Sequence, residues 1–240
     1  MGRGENDELR RPQRPLYGVG RSLSRTTMIF DSTVYERQCG QGRCGAATLV
    51  MIYRSFGLAA DQETVWNELQ GYSTGRTRTF HLARNALEHA LSAIVVRVRE
   101  PAAFLSADLS PIRLIPVCRI CHDSTKGHFS LFLGTDLISQ TVTLHDPQFG
   151  PHRTVSRAEF LELWTPHGTG DEITRNVAVL IAESRNAASA CWECSQTFFL
   201  DPLLPFADDT FETMFCPYCD AKCLPRWPKH EEKNISPKTF

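Results

Sequence analysis

At 240 residues, 42% apolar and 22% charged, the chain has the composition of a globular protein that buries a real core. Its formal net charge of −1 gives no electrostatic footprint for nucleic acid, a membrane surface or a strongly charged substrate. No apolar run approaches the roughly 18 residues of a membrane span, and the start MGRGENDELRRPQRP lacks the apolar core of a secretory signal; no membrane span and a cytoplasmic setting are therefore expected.

Residues 1–25 are rich in Arg, Pro and Gly without periodicity and read as a flexible tail. Residues 26–184 read as one mixed domain. CGAATLVMIYRSFG is apolar almost all round, the mark of a buried helix, and ends at Gly57, a C′ residue. DQETVWNELQG follows with Asp61 as N-cap, then FHLARNALEHAL as a third helix. Strand patterns come next: SAIVVRVRE, IRLIPVCRI, HFSLFLG, TVTLHDPQFG and NVAVLIAES, with the helix SRAEFLELW capped by Ser156 and Glu159 before the last. Helices first and strands after, with little alternation, predict an α+β fold.

From Ala187 the composition shifts to Cys, Pro and aromatics, which predicts a separate small domain over 187–228 joined through RNAASA, then a polar tail over 229–240. The chain holds nine cysteines, an odd number; in a reducing compartment clustered cysteines read as metal ligands or nucleophiles rather than disulfides.

Cys44 stands immediately before the buried helix, where the positive end of the macrodipole and unpaired N–H groups favour a thiolate and help hold an oxyanion. Gly45, Ala46 and Ala47 leave the first turn uncluttered for an approaching carbonyl. Cys39, in the glycine-rich CGQG, has no such support. A cysteine at a helix start taken alone fits a small buried hydrophobe equally well.

A thiolate needs a base, and the base an orienter. His128 opens the strand GHFSLFLG, and the next strand, TVTLHDP, ends at Asp146. With residues 135–140 as the hairpin turn, cross-strand partners sum to about 274, which places His128 opposite Asp146 on one face. The bland alternative is a half-buried strand histidine near a turn aspartate.

Gln38, Cys44, GHFSLFLG and LHDPQFG, in that order, resemble the papain-like cysteine peptidases, most closely the bacterial double-glycine (bacteriocin-processing) branch, over about residues 34–182. The resemblance implies a papain-like fold with Cys44 as nucleophile, His128 as general base and acid, Asp146 as orienter and Gln38 as an oxyanion donor six residues before the nucleophile. Gln41, three residues before it, does not match that spacing. Alanine stands where proline often follows the Cys-Gly pair in the family.

CWEC (191–194) and CPYC (216–219) are two C-x2-C pairs 21 residues apart. Each pair presents two sulfurs from a tight knuckle, so Cys191, Cys194, Cys216 and Cys219 predict a structural Zn2+ in a zinc ribbon. Cys223 is a fifth thiol, read as free, with substitution for Cys219 as a ligand the alternative. The ribbon's aromatics and acids (Trp192, Phe198, Phe215, Asp208, Asp209, Glu212) lean towards a protein partner rather than nucleic acid. Cys118 and Cys121 are read as strand core rather than metal ligands, and His81, His89, His152 and His167 as surface residues.

The reading favoured by the sequence is a thiol hydrolase of peptide or isopeptide bonds, with no cofactor for the chemistry itself and a zinc ribbon for docking a substrate or partner protein. Transfer of the acyl group to an amine, and a non-catalytic binding module, are the alternatives.

Overall fold

In the computed structural model the described residues are 33–72, 77–183, 185–203, 206 and 209–223, so the two tails read from the sequence lie outside them. Helices α1 (Cys44–Ser55), α2 (Gln62–Tyr72) and α3 (Thr79–Glu88) come first. Strands β1 (Ser92–Val98), β2 (Ile112–Arg119), β3 (Gly127–Phe129), β4 (Leu131–Asp136), β5 (Thr141–Asp146) and β6 (Gly150–Ser156) follow, with the short α4 (Pro101–Phe104) after β1. Helix α5 (Arg157–Leu163) and β7 (Val177–Ala182) precede the cysteine-rich β8 (Ala188–Ala190), β9 (Thr197–Phe199), a 3-10 turn (Asp201–Leu203), β10 (Phe211–Phe215) and β11 (Lys222–Cys223). The fold is α+β, as the order of patterns predicts.

One antiparallel sheet carries the molecule, with strand order β11-β10-β1-β7-β2-β4-β5-β6 and β3 paired to β2 off that path. Every residue of β7 is buried, so both its faces are covered; α3 and the 3-10 turn both pack on it. Helix α1 is buried from Cys44 to Tyr53, in keeping with its all-round apolar sequence. It ends where expected: Gly57 has φ +75° and its N–H bonds to the Arg54 carbonyl at 3.0 Å. Asp61 caps α2 through a 2.9 Å bond from the Thr64 N–H, and the Ser156 hydroxyl caps α5 by accepting the Glu159 N–H at 3.1 Å.

Three local expectations need correction. GHFSLFLG is two strands rather than one. The chain breaks at Ser130, and β3 turns away to pair with β2, Cys118 opposite His128. The β4–β5 hairpin pairs Leu131 with His145 and Asp136 with Thr141, and slips register at Phe132/Gly134, so His128 is not a ladder partner of Asp146. Second, His81 is buried, 3% exposed, because its Nδ1 accepts the Arg78 N–H at 3.3 Å and closes the first turn of α3. Burial, and then the Arg78 and Arg84 charges, hold its pKa below the ordinary value, which keeps it a neutral acceptor. Third, β2 ends at Arg119, so Cys121 is exposed in a turn; Cys118 is half-buried and packs against the core.

The sheet also runs across the boundary drawn at 184–187. Strand β10 pairs with β1, Val96 opposite Met214 and Arg97 opposite Thr213, and Phe198, Phe211 and Met214 join the hydrophobic core of the rest of the chain.

Candidate active site

The first turn of α1, strand β3 and the turn that follows β5 converge on one open cleft of about 1390 Å³, lined among others by Gln38, Cys44, His128 and Gln148. Cys44 is the first residue of α1 and His128 the middle residue of β3. The Thr48 hydroxyl ties these two elements together, lying 2.8 Å from the Cys44 carbonyl and 3.3 Å from the Phe129 carbonyl. The α1 backbone is thereby fixed against the strand that bears the histidine.

His128 is 4% exposed and Asp146 fully buried. The His128 Nε2 lies 2.7 Å from Asp146 Oδ1, and Cys44 lines the same cleft as the ring. Burial pulls the His128 pKa down, but the bonds to Asp146 and then Cys44 outweigh it and raise it to about 9. Burial pushes Asp146 up, yet the His128 bond and charge, the Gln148 N–H and Arg153 together hold it below its ordinary value. A thiol, an imidazole and an ionised carboxylate in this order can place a thiolate beside an imidazolium, the pairing that nucleophilic thiol chemistry requires.

Asp146 is held from every side. The Gln148 and Phe149 N–H groups donate to its Oδ1 at 3.0 and 3.2 Å, and Arg153 donates to Oδ2 at 2.8 Å. Arg153 was not among the residues singled out from sequence; it reaches back from β6, where it pairs with Leu144, and its guanidinium also lies over the Phe149 ring at 4.5 Å. The exposed Phe149 ring in turn stands edge-on to His128, 6.3 Å between centroids. The Tyr35 hydroxyl lies 3.1 Å from the Asp146 carbonyl and anchors the segment that leads to Gln38.

Gln38 lines the cleft, its side-chain oxygen buried without a hydrogen-bond partner and its backbone N–H donating to the Pro147 carbonyl at 3.0 Å. Gln41 also lines the cleft, whereas Cys39 is exposed with its sulfur 3.9 Å from the Arg37 carbonyl. Gly45 plays a different part from the one expected. It is buried, and a Cβ there would meet Leu82 Cδ2 at 3.0 Å and Phe129 Cδ2 at 3.3 Å, so the missing side chain lets α1 approach its neighbours closely.

The four knuckle cysteines also converge. The sulfurs of Cys191, Cys194, Cys216 and Cys219 lie within 4.8 Å of one another, with Cys191–Cys219 and Cys194–Cys216 both at 3.7 Å. A tetrahedral ion with metal–sulfur bonds of ~2.3 Å sets sulfurs ~3.8 Å apart, so the set could hold a metal. Among the described residues this is the one cluster of that kind; Cys121 and His122 belong to none, and His122 instead bonds to Glu162 at 3.0 Å. Cys223 is buried, its thiol donating to the Ala221 carbonyl at 3.6 Å. The second knuckle continues into Asp220, which lines the same cleft as Cys44.

Among solved structures the chain is similar to a C39-like peptidase from Bacillus anthracis, with 14% identity, 68% of this chain and 100% of that chain covered, and a TM-score of 0.52. It is also similar to a double glycine motif protease from an AMS/PCAT transporter, crystallised with the leader peptide, at 18% identity over 68% of this chain and 96% of that one, with a TM-score of 0.49. No curated protein matches the chain. Among the described residues no helix is long and apolar enough to cross a membrane. The model of the Peptidase C39 family matches residues 32–168, more than half of the chain, which therefore belongs to that family of papain-like cysteine peptidases.

Proposed function

We propose that the chain cleaves a peptide or isopeptide bond with Cys44 as nucleophile, His128 as acid and base, Asp146 as orienter and Gln38 as oxyanion donor. The observation that carries this reading is the His128 ring, bonded to Asp146 through Nε2 at 2.7 Å in the cleft that Cys44 also lines. The thiolate adds to the carbonyl carbon, and the oxyanion is met by the Gln38 amide and the N–H groups at the start of α1. The buried Gln38 oxygen leaves its NH2 as the end available to a ligand. Collapse breaks the C–N bond, and the imidazolium gives its proton to the departing amine. Water, deprotonated by His128, then adds to the thioester; the C–S bond breaks and the thiolate is restored.

The four cysteines of the ribbon, residues 187–228, would hold a structural zinc that fixes the two knuckles and takes no part in the chemistry. Docking of a peptide or protein substrate by this unit is supported by Asp220, which places the second knuckle on the wall of the cleft that 26–184 builds around Cys44. Alkylation with iodoacetamide at pH 6, mapped by mass spectrometry, tests the reading. Cys44 is expected to react well ahead of Cys39, and the advantage to vanish in His128→Ala. Equal reactivity of the two cysteines would overturn it.

A further inference from the structure

Gln62 opens α2 and is 4% exposed, although glutamine is a residue type mostly found in water. Its burial is explained by what its amide holds. The side-chain oxygen accepts the Cys39 N–H at 2.6 Å; the NH2 donates to the Arg37 carbonyl at 2.9 Å and to the Glu36 carboxylate at 3.3 Å. The two backbone groups belong to the residues on either side of Gln38. Their chemistry fixes the orientation of the amide, since an N–H needs an acceptor and a carbonyl needs a donor.

The clamp has a second jaw and a brace. From the other side, the Gln38 N–H donates to the Pro147 carbonyl, one residue beyond Asp146. Glu36 is paired at 2.8 Å with Arg54, which lies on the helix that begins at Cys44. Residues 37–39 belong to no helix or strand, and Arg37 and Cys39 are exposed. Gln62 supplies the backbone bonds that a neighbouring strand would otherwise give this segment.

We propose that Gln62 is a positioning residue for the oxyanion donor Gln38, an inference that rests on the peptidase reading above. Removing the Gln62 amide takes away the bonds flanking Gln38 on both sides and leaves the segment held by Pro147 on one side. An oxyanion donor works only where its N–H already points at the developing charge, and a shift of about 1 Å removes much of its effect.

Two small reagents separate this role from general packing in the full chain. Iodoacetamide reacts with a thiolate by displacement and creates no oxyanion. p-Nitrophenyl acetate is attacked at its carbonyl: the new C–S bond forms through a tetrahedral oxyanion, the C–O bond breaks, and p-nitrophenolate leaves. Gln62→Leu is expected to slow acylation of Cys44 by roughly tenfold, short of the roughly 10²–10³-fold for outright loss of one oxyanion donor, while alkylation stays within about twofold of wild type. Gln62→Glu keeps the acceptor for Cys39 but sets a carboxylate against the Arg37 carbonyl and Glu36, and the same selective loss is expected. Gln62→Leu added to Gln38→Ala is expected to cost nothing further. Unchanged acylation, equal loss of both rates, or multiplying losses in the double variant would overturn the inference alone. A wild-type Cys44 that is not acylated at all would overturn the peptidase reading, and this inference with it.

Discussion

Each of the two charged partners buried behind the proposed nucleophile is held in its charged form by the other. His128, raised to about 9, stabilises the fold fully below its ordinary value of 6.5, and that contribution is lost as pH rises through 9. Asp146, held low, contributes above its ordinary value of 3.8 and loses this as pH falls through its folded value. In the proposed reaction the same protonation governs the acid that gives the leaving amine its proton. The alkaline limb of kcat/KM is therefore expected near 9. In Asp146→Asn the negative charge that opposes the effect of burial is gone, so the limb should move to lower pH, with a loss in kcat/KM of the order of 10²-fold. A limb that stays in place would detach His128 from the chemistry. Both residues were legible in the sequence because a histidine opening one apolar strand and a Asp-Pro ending the next are local signals. Arg153, which completes the hold on Asp146, was not: it lies on a third strand, and its reach depends on the tight β5–β6 hairpin.

At the scale of elements, the site is an encounter between a helix start and a strand that leaves its sheet neighbour. The sequence period indicated both α1 and the strand pattern, but a period of two cannot reveal that β3 breaks from β4 at Ser130 and joins β2 instead. The expected hairpin register therefore brought His128 towards Asp146 by a route the molecule does not use. The packing of α1 on β3 is what brings Cys44 to His128, and Gly45 sits in that contact with Leu82, Phe129 and Thr77 around it. Gly45→Val would drive two branched methyl groups into space that already lies within 3.0–3.4 Å of those atoms. The overpacking is expected to cost about 1–3 kcal/mol, read as a fall in Tm of several degrees, and to separate Cys44 from His128. Alkylation of Cys44 should slow in the same variant. A variant with wild-type Tm and wild-type alkylation would mean that α1 and β3 have slack, contrary to the close contact.

For the whole molecule, the cysteine-rich segment extends the same sheet that carries His128 and Asp146. Composition marked its start at Ala187 but could not show that β10 covers the edge of β1, since pairing between residues more than a hundred apart leaves no local trace. Strand β1 is buried at six of its seven positions, and without β10 it would present an apolar edge of unpaired N–H and carbonyl groups to solvent. Strand β10 runs directly into the second knuckle at Cys216, and β11 returns from it at Cys223 to pair with Met214. A metal held by the four sulfurs would lock this return, and binding energy at such a site is folding energy. Protein purified without chelators is expected to carry about one zinc per chain, and a Cys216→Ser, Cys219→Ser double variant almost none. Hydrogen exchange in that variant should quicken at Phe211–Phe215 and along the outer edge of β1, while β2 and β7 keep their protection. Because Asp220 leaves the same knuckle for the cleft, KM for a peptide substrate should rise while alkylation of Cys44 by iodoacetamide, which needs no docking, stays near wild type. Loss of protection throughout the sheet would instead make the ribbon an inseparable part of one cooperative unit. Unchanged exchange at β1 would show that the knuckles close without holding the edge.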